Sequence, residues 1–154
     1  MSQSTTQFDV CIRGAGIVGR SLSLMLASQG LRVALVNISG AQKSAHGHSD
    51  VRAYSLNSAA QRMLMDLRCW PEGAACTPIL KMHIEGDQGG NLEFSAAQQG
   101  VEALNWMVDV PTLENNLAQA IGFQPLIQEV AESVKAPLTV ICEGRASQTR
   151  AELG

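Results

Sequence analysis

The chain has 154 residues, with charged residues at only 16% of its length and a formal net charge of −3 at pH 7. Such a mildly acidic balance gives no electrostatic reason to bind nucleic acid or an anionic membrane surface. The 45% content of apolar residues argues against disorder and indicates a folded globular chain.

The first 37 residues predict a strand, a glycine turn, a helix and a second strand. Residues 8–12 are a short apolar run, and residues 31–36 are another, as in a parallel sheet that is covered on both faces. Between them, residues 17–29 have helical periodicity, and Gly30 stands where a helix C-cap glycine is expected. Four apolar side chains fall on one face of this helix: Val18, Leu22, Met25 and Leu26. Residues 8–37 are therefore predicted to form a βαβ unit.

Later elements follow from periodicity and from turn residues. First come a helix at 57–67 and, within about 80–96, a hairpin of strands 81–85 and 91–95. A strand at 105–110 follows, and then a helix that begins at Pro111 and has Leu113, Leu117 and Ile121 on its buried side. The last element is a strand at 138–142, whose turn lies within 138–150.

The glycine turn has the spacing of a dinucleotide-binding motif. Gly14 permits the tight turn out of the strand, Gly16 lets a pyrophosphate approach the backbone, and Gly19 lets the helix pack close to the strand. Backbone amides and the positive end of the helix then face the phosphates. The alternative is a tight turn with no ligand. The candidate cofactor-binding residues here are Gly14, Ala15, Gly16, Ile17, Val18 and Gly19.

Two polar residues depart from the usual pattern of such a unit. The second strand should end in Asp or Glu to hold the ribose hydroxyls, but Asn37 stands there. Asn37 either holds a ribose hydroxyl without charge or is an ordinary turn-starting asparagine. Arg13 ends the first strand, and we expect it to reach solvent or a phosphate, or to pair with a carboxylate supplied by other chain.

Four further segments carry a family resemblance. Residues 50–60 contain an Asp-x-Arg segment that leads into a helix, and residues 87–94 are similar to the hairpin of a known family. Val108 and Asp109 precede a Leu-x-x-x-Leu helix, and residues 142–150 are similar to an Asp-Gly-x-x-Ser-x-x-Arg motif. In their order and placement these segments resemble the aromatic-ring flavoprotein monooxygenases, in particular the ubiquinone-biosynthesis hydroxylase group.

The resemblance implies an α/β fold: a Rossmann-like FAD-binding βαβ domain of the glutathione-reductase type with an inserted β-hairpin. Residues 1–154 would be part of that domain. FAD, reduced by NADH or NADPH, would react with dioxygen and hydroxylate a small aromatic ring, with a ubiquinone precursor as a candidate. Arg52 would lie near the flavin or its phosphates. Glu143 and Gly144 would lie near the pyrophosphate and the approach of the nicotinamide cofactor. No residue is assigned as a catalytic acid or base.

The chain also departs from this family. Pro111 replaces a usual arginine, few residues link Ile121 to the last strand, and the C-terminal part with its Gly-Asp-Ala motif does not follow. We therefore expect a truncated chain whose partners are its own C-terminal part and a biosynthetic complex. Two alternatives remain: an NAD(P)-dependent dehydrogenase, and a non-catalytic degenerate paralogue that acts as an interaction module.

Metal binding and membrane insertion are not expected. His46, His48 and Asp50 are too few ligands for a metal site and are interpreted as a solvated loop. No apolar run approaches the ~18 residues of a transmembrane helix, and residues 1–7 do not resemble a signal peptide. We expect a cytoplasmic protein with free thiols, which lies at the membrane periphery if its substrate is a quinone precursor.

Overall fold

A computed structural model of the protein describes residues 8–37, 51–147 and 149–150. The chain forms two compact units, one of Met1–His48 with Leu117–Gly154 and one of Ser49–Asn116. The loop with His46, His48 and Asp50 lies outside the described residues, as does Gln148 of the last motif.

The described chain contains nine strands and four α-helices. The strands are β1 (Val10–Arg13), β2 (Val33–Val36), β3 (Ala53–Leu56), β4 (Cys76–Ile79), β5 (Lys81–Gly86), β6 (Gly90–Ser95), β7 (Asn105–Asp109), β8 (Ile127–Val130) and β9 (Leu138–Ile141). The helices are α1 (Ile17–Ser28), α2 (Ser58–Asp66), α3 (Ala96–Gln99) and α4 (Val110–Gly122).

The first unit is built on a parallel sheet with the strand order β8-β2-β1-β9. Val10 is in register with Val33 on β2 and with Leu138 on β9, and Val33 is in register with Ile127 on β8. All four residues of β2 are buried, as expected for a parallel strand that is covered on both faces. The predicted βαβ unit is therefore present, and β9 joins it as a third parallel strand.

Helix α1 buries a different face from the predicted one. Val18 is 68% exposed and Met25 is 42% exposed, so the predicted apolar face is not a buried face in this structure. The buried residues are mostly small: Gly19, Ser21, Ser23, Leu24 and Ala27. Small side chains let the helix axis approach the sheet closely, and the Ser23 hydroxyl is satisfied by donating to the Gly19 carbonyl at 2.7 Å. Close backbone packing therefore takes precedence here over the burial of large side chains.

The second unit is antiparallel. Strands β3, β7 and β4 form one sheet in that order, and β5 and β6 form the predicted hairpin as a separate pair. Asp109 caps the start of α4, since its carboxylate accepts from the amide of Thr112 at 2.9 Å. Helix α4 begins in this unit and ends in residues of the first unit, and Leu113, Leu117 and Ile121 are buried along it, as predicted. This helix begins at Val110, one residue before the predicted Pro111.

Four elements were not predicted from the sequence: β3, β4, β8 and α3. Each has only four residues, and polar residues or proline interrupt the apolar pattern that made the equally short β1, β2 and β9 recognisable. Pro78 in β4 further conceals a strand, and it is tolerated because β4 lies at the edge of its sheet. Strand β8 matters most, because it lies within the short link that precedes the last strand.

No helix in the described part of the chain is long and apolar enough to cross a membrane. Within the same residues, no group of three or more His, Cys, Asp or Glu side chains is placed to hold a metal ion.

Neighbouring residues on α2 provide a test of the second unit's core. Leu64 is 2% exposed and Met65 is 54% exposed. We expect Leu64→Ala to lower the free energy of unfolding by about 2–5 kcal/mol, because it removes buried methyl groups and leaves a cavity. We expect Met65→Ala to change it by roughly 0.5 kcal/mol or less. Urea denaturation measures both values, and equal losses would contradict the assigned core.

Candidate dinucleotide-binding site

The site lies at the carboxyl ends of three parallel strands. The amide of Gly14 donates to the carbonyl of Val36 at 3.1 Å, which joins the turn to the end of β2. The amide of Cys142 donates to the carbonyl of Arg13 at 2.7 Å, which joins the end of β1 to the residue after β9. The carboxyl edge of a parallel sheet is where α/β proteins bind their ligands, so this edge is the natural candidate.

Gly14 and Gly19 are required by the packing of the protein itself. Gly14 has a φ of +109°, and a Cβ placed on it would lie 2.4 Å from the carbonyl oxygen of Cys142. A Cβ on Gly19 would lie 1.8 Å from the carbonyl oxygen of Gly14. Both distances are far inside van der Waals contact with backbone atoms. The predicted mechanical roles of these two glycines agree with this geometry.

Gly16 differs from the other two glycines of the turn. Its φ of −78° and ψ of −174° are open to any residue, and an added Cβ would meet no atom within 4 Å. It is the N-cap residue of α1 and makes no side-chain capping bond, although Ser, Thr or Asp would cap the helix better. Neither packing nor helix stability explains a glycine here. Close approach of a ligand to the backbone does explain it.

The rest of the turn leaves the helix start accessible. Gly16 is exposed, Ala15 and Ile17 are half-buried, and Val18 is exposed. The first amides of an α-helix have no acceptor within the helix, and they carry the positive end of its dipole. An anionic diphosphate fits such a surface.

Asn37 follows the end of β2, as predicted, and is half-buried. Its backbone amide donates to the carbonyl of Val130 at 2.9 Å. Its side-chain Nδ2 donates to Oε2 of Glu129 at 3.4 Å. The residue at the expected ribose position therefore has a carboxylate beside it.

Glu143 is the centre of a polar cluster after β9. Its carboxylate accepts from the hydroxyl of Ser147 at 2.8 Å, and from the hydroxyl and amide of Thr149 at 2.8 and 3.3 Å. Nε of Arg13 lies 3.0 Å from Oε1. The hydrogen bonds from Ser147, then those from Thr149, and lastly the charge of Arg13 lower the pKa of Glu143 below its ordinary value of 4.5.

The ion pair with Glu143 shows what the Arg13 side chain contacts. We expected solvent, a phosphate or a carboxylate from other chain, but this chain's own Glu143 supplies the carboxylate. The pair links the ends of β1 and β9 on either side of the glycine turn. Gly144 follows with a φ of +71°, which only glycine adopts without strain, and begins a short 3₁₀ turn. The proposed contacts of Glu143 and Gly144 with a cofactor remain predictions.

Arg52 lies in the second unit, just before β3, and is exposed. Its carbonyl accepts from the amide of Val110 at 3.0 Å, and its Nη2 lies 3.6 Å from Oε1 of Glu114. The predicted contact of Arg52 with a flavin or its phosphates remains a prediction.

Two residues of this site were missed in the sequence. Glu129 lies on β8, which the sequence did not reveal. Thr149 is part of the last motif, but its role as a buried donor to Glu143 follows only from the fold. The only hint in the sequence was that two hydroxyl residues, Ser147 and Thr149, follow Glu143 closely.

No family model matches the chain. The chain is 25% identical over 170 residues to the 3-demethoxyubiquinol 3-hydroxylase of Escherichia coli (strain K12), a match that covers 95% of this chain and 44% of that protein. It is 26% identical over 169 residues to the ubiquinone hydroxylase UbiL of Rhodospirillum rubrum, with 95% and 39% covered.

The fold resembles that of a solved flavoprotein. The crystal structure of pqsL, a probable FAD-dependent monooxygenase from Pseudomonas aeruginosa, superposes with a TM-score of 0.68 at 17% identity, over 96% of this chain and 45% of that one. The chain thus spans less than half the length of these relatives. The findings confirm the predicted resemblance to ubiquinone hydroxylases and the predicted FAD-binding type of α/β fold.

The cluster around Glu143 gives a pH prediction. Because folding lowers the pKa of Glu143, its ionised form stabilises the native state above pH 4.5, and this stabilisation is lost as the pH falls through the lower native pKa. We expect Glu143→Gln to be less stable than the native protein near neutral pH. The difference should shrink as the pH falls through that range.

Urea unfolding at a series of pH values measures this difference. Glu132→Gln, at an exposed carboxylate outside the cluster, is the matched control and should show no such pH-dependent loss. A deficit of Glu143→Gln that stays constant with pH would contradict the assigned cluster.

Proposed function

We propose that this chain is the FAD-binding part of a flavoprotein monooxygenase that hydroxylates an aromatic ring with NADH or NADPH and dioxygen. The observation that carries the proposal is Gly16. This glycine is not needed for packing or for capping, yet it stands where a diphosphate would reach the first amides of α1. The similarity in fold to a probable FAD-dependent monooxygenase supports FAD over other dinucleotides.

The chain's own residues would hold and orient the cofactor. The amides of residues 16–18 would donate to the diphosphate, and Asn37 would lie near the adenosine ribose. The Glu143 cluster would keep the ends of β1 and β9 in place around the turn. FAD, when bound, supplies the activation of dioxygen, while the protein positions it and excludes water.

The substrate we propose is the ring of a ubiquinone precursor, because both curated relatives are named as ubiquinone hydroxylases. We further propose a cytoplasmic protein that meets such a substrate at the membrane periphery. The free cysteines of the described chain agree with a reducing compartment. The C-terminal part of its own chain and a biosynthetic complex are its proposed partners.

A non-catalytic interaction module is the second candidate. The uncharged Asn37 and the Pro111 that replaces a family arginine favour it. Such a module could still bind FAD, so the two candidates differ in turnover.

FAD binding by the purified protein tests the proposal. We expect quenching of flavin fluorescence on titration, and we expect Gly16→Ser to raise the Kd by roughly tenfold or more, about 1.4 kcal/mol. The serine would obstruct the diphosphate but would cap α1, so the stability to urea should stay the same or rise. No binding of FAD by the native protein, or equal Kd values for the two proteins, would contradict the proposal.

Turnover separates the two candidates. We expect FAD-loaded protein, as its gene encodes it, to oxidise NADH or NADPH with matching uptake of oxygen, and to do so faster when a ubiquinone precursor is present. The Gly16→Ser protein is the control and should show little of this activity at limiting FAD. FAD binding without any oxygen uptake would favour the interaction module, and nicotinamide oxidation without oxygen uptake would favour a dehydrogenase.

A further inference from the structure

The residue at the position expected to bind the adenosine ribose is uncharged. In a dinucleotide-binding βαβ unit, a carboxylate at the end of the second strand accepts hydrogen bonds from the ribose hydroxyls. Asn37 occupies that position here, and its side chain has one acceptor oxygen and two donor hydrogens. A neutral amide is a weaker partner for hydroxyl donors than a carboxylate is.

A carboxylate from the neighbouring strand stands beside this amide. Oε2 of Glu129 accepts from Nδ2 of Asn37 at 3.4 Å. This bond uses one amide donor and leaves Oδ1 of Asn37 and Oε1 of Glu129 as further acceptors. A pair of adjacent hydroxyls, such as the ribose diol, presents two donors that match two such acceptors.

The backbone fixes this pair in place. Strands β2 and β8 are parallel and in register, with Val36 opposite Val130. The ladder extends at both ends, from the amide of Val33 to the carbonyl of Leu126 at 2.8 Å and from the amide of Asn37 to the carbonyl of Val130 at 2.9 Å. The carboxyl ends of the two strands therefore meet at one edge, where Glu129, in register with Leu35, extends its side chain to Asn37.

The Glu129 side chain is also accessible. It is exposed, and it borders an open groove of about 560 Å³ that Arg20 of α1 and Gln124 also line. The exposure of the side chain is what makes the carboxylate accessible to a ligand at this edge, since the groove itself is lined mainly by the end of α4 and the start of β8.

We propose that Glu129 and Asn37 act together as the ribose acceptor of this site, with the carboxylate supplied by β8 instead of by the end of β2. The inference rests on the FAD-binding function proposed above. The pair binds the 2′- and 3′-hydroxyls of the adenosine half of FAD. Its negative charge also disfavours a nucleotide that carries a 2′-phosphate.

Substitutions at positions 129 and 37 test the pair, beginning with the carboxylate of Glu129. We expect Glu129→Gln to raise the Kd for FAD by roughly tenfold, since it removes the charge while keeping the shape. The control Glu102→Gln makes the same charge change at an exposed site in the second unit and should bind like the native protein. Urea unfolding of each variant confirms that the fold is retained.

The effect of Asn37→Asp on the Kd for FAD should have opposite signs in the native and Glu129→Gln backgrounds. In the native background, Asn37→Asp places two carboxylates side by side and should weaken binding. In the Glu129→Gln background, Asn37→Asp restores a carboxylate with an amide beside it and should recover most of the lost affinity. Weakening by Asn37→Asp in both backgrounds, or in neither, would overturn the proposed pair.

Competition by ADP and 2′-deoxy-ADP tests the ligand side. We expect ADP to displace FAD better than 2′-deoxy-ADP from the native protein, and we expect this preference to shrink in Glu129→Gln. A native protein that does not bind FAD refutes the proposed function itself. Equal Kd values for FAD in the native protein and in Glu129→Gln would refute only this inference.

Discussion

The close contact of three backbone segments at Gly14 is the constraint on which the site depends. On one side, Gly14 in the turn after β1 packs against the carbonyl of Cys142. On the other side, Gly19 of α1 packs against the carbonyl of Gly14. No side chain larger than hydrogen fits at either contact. The strand ends and the start of α1 are thereby fixed within ångströms of one another, which aims the free helix amides at the carboxyl edge of the sheet.

The sequence predicted the parts of this arrangement that depend on backbone geometry. The glycine spacing, the flanking apolar strands and Gly30 follow local rules, so the βαβ unit was predicted with its limits nearly correct. The buried face of α1 was predicted wrongly, because periodicity weighs large apolar residues and not the small ones that close packing requires. Strand β8 was missed because Gln128 and Glu129 interrupt it, so it lacks the apolar run by which β1, β2 and β9, of equal length, were predicted.

The polar contacts of the site could not be predicted, because they join residues that are far apart in sequence. Arg13 meets Glu143 only because β1 and β9 are neighbours, and Asn37 meets Glu129 only because β2 and β8 are. Strand order is a property of the whole sheet and leaves no trace at a single position. The sequence motif therefore predicted the glycine turn, while the charged contacts around it follow only from the fold.

Strand β8 is one of the two outer strands of its sheet in the described chain. An outer strand offers unpaired amides and carbonyls to any passing strand, and proteins commonly guard such a margin with charge. Gln128 and Glu129 are the exposed residues of β8. Glu129, which accepts from Asn37, therefore also places a negative charge on this outer strand, and such a charge disfavours pairing with a strand of another molecule.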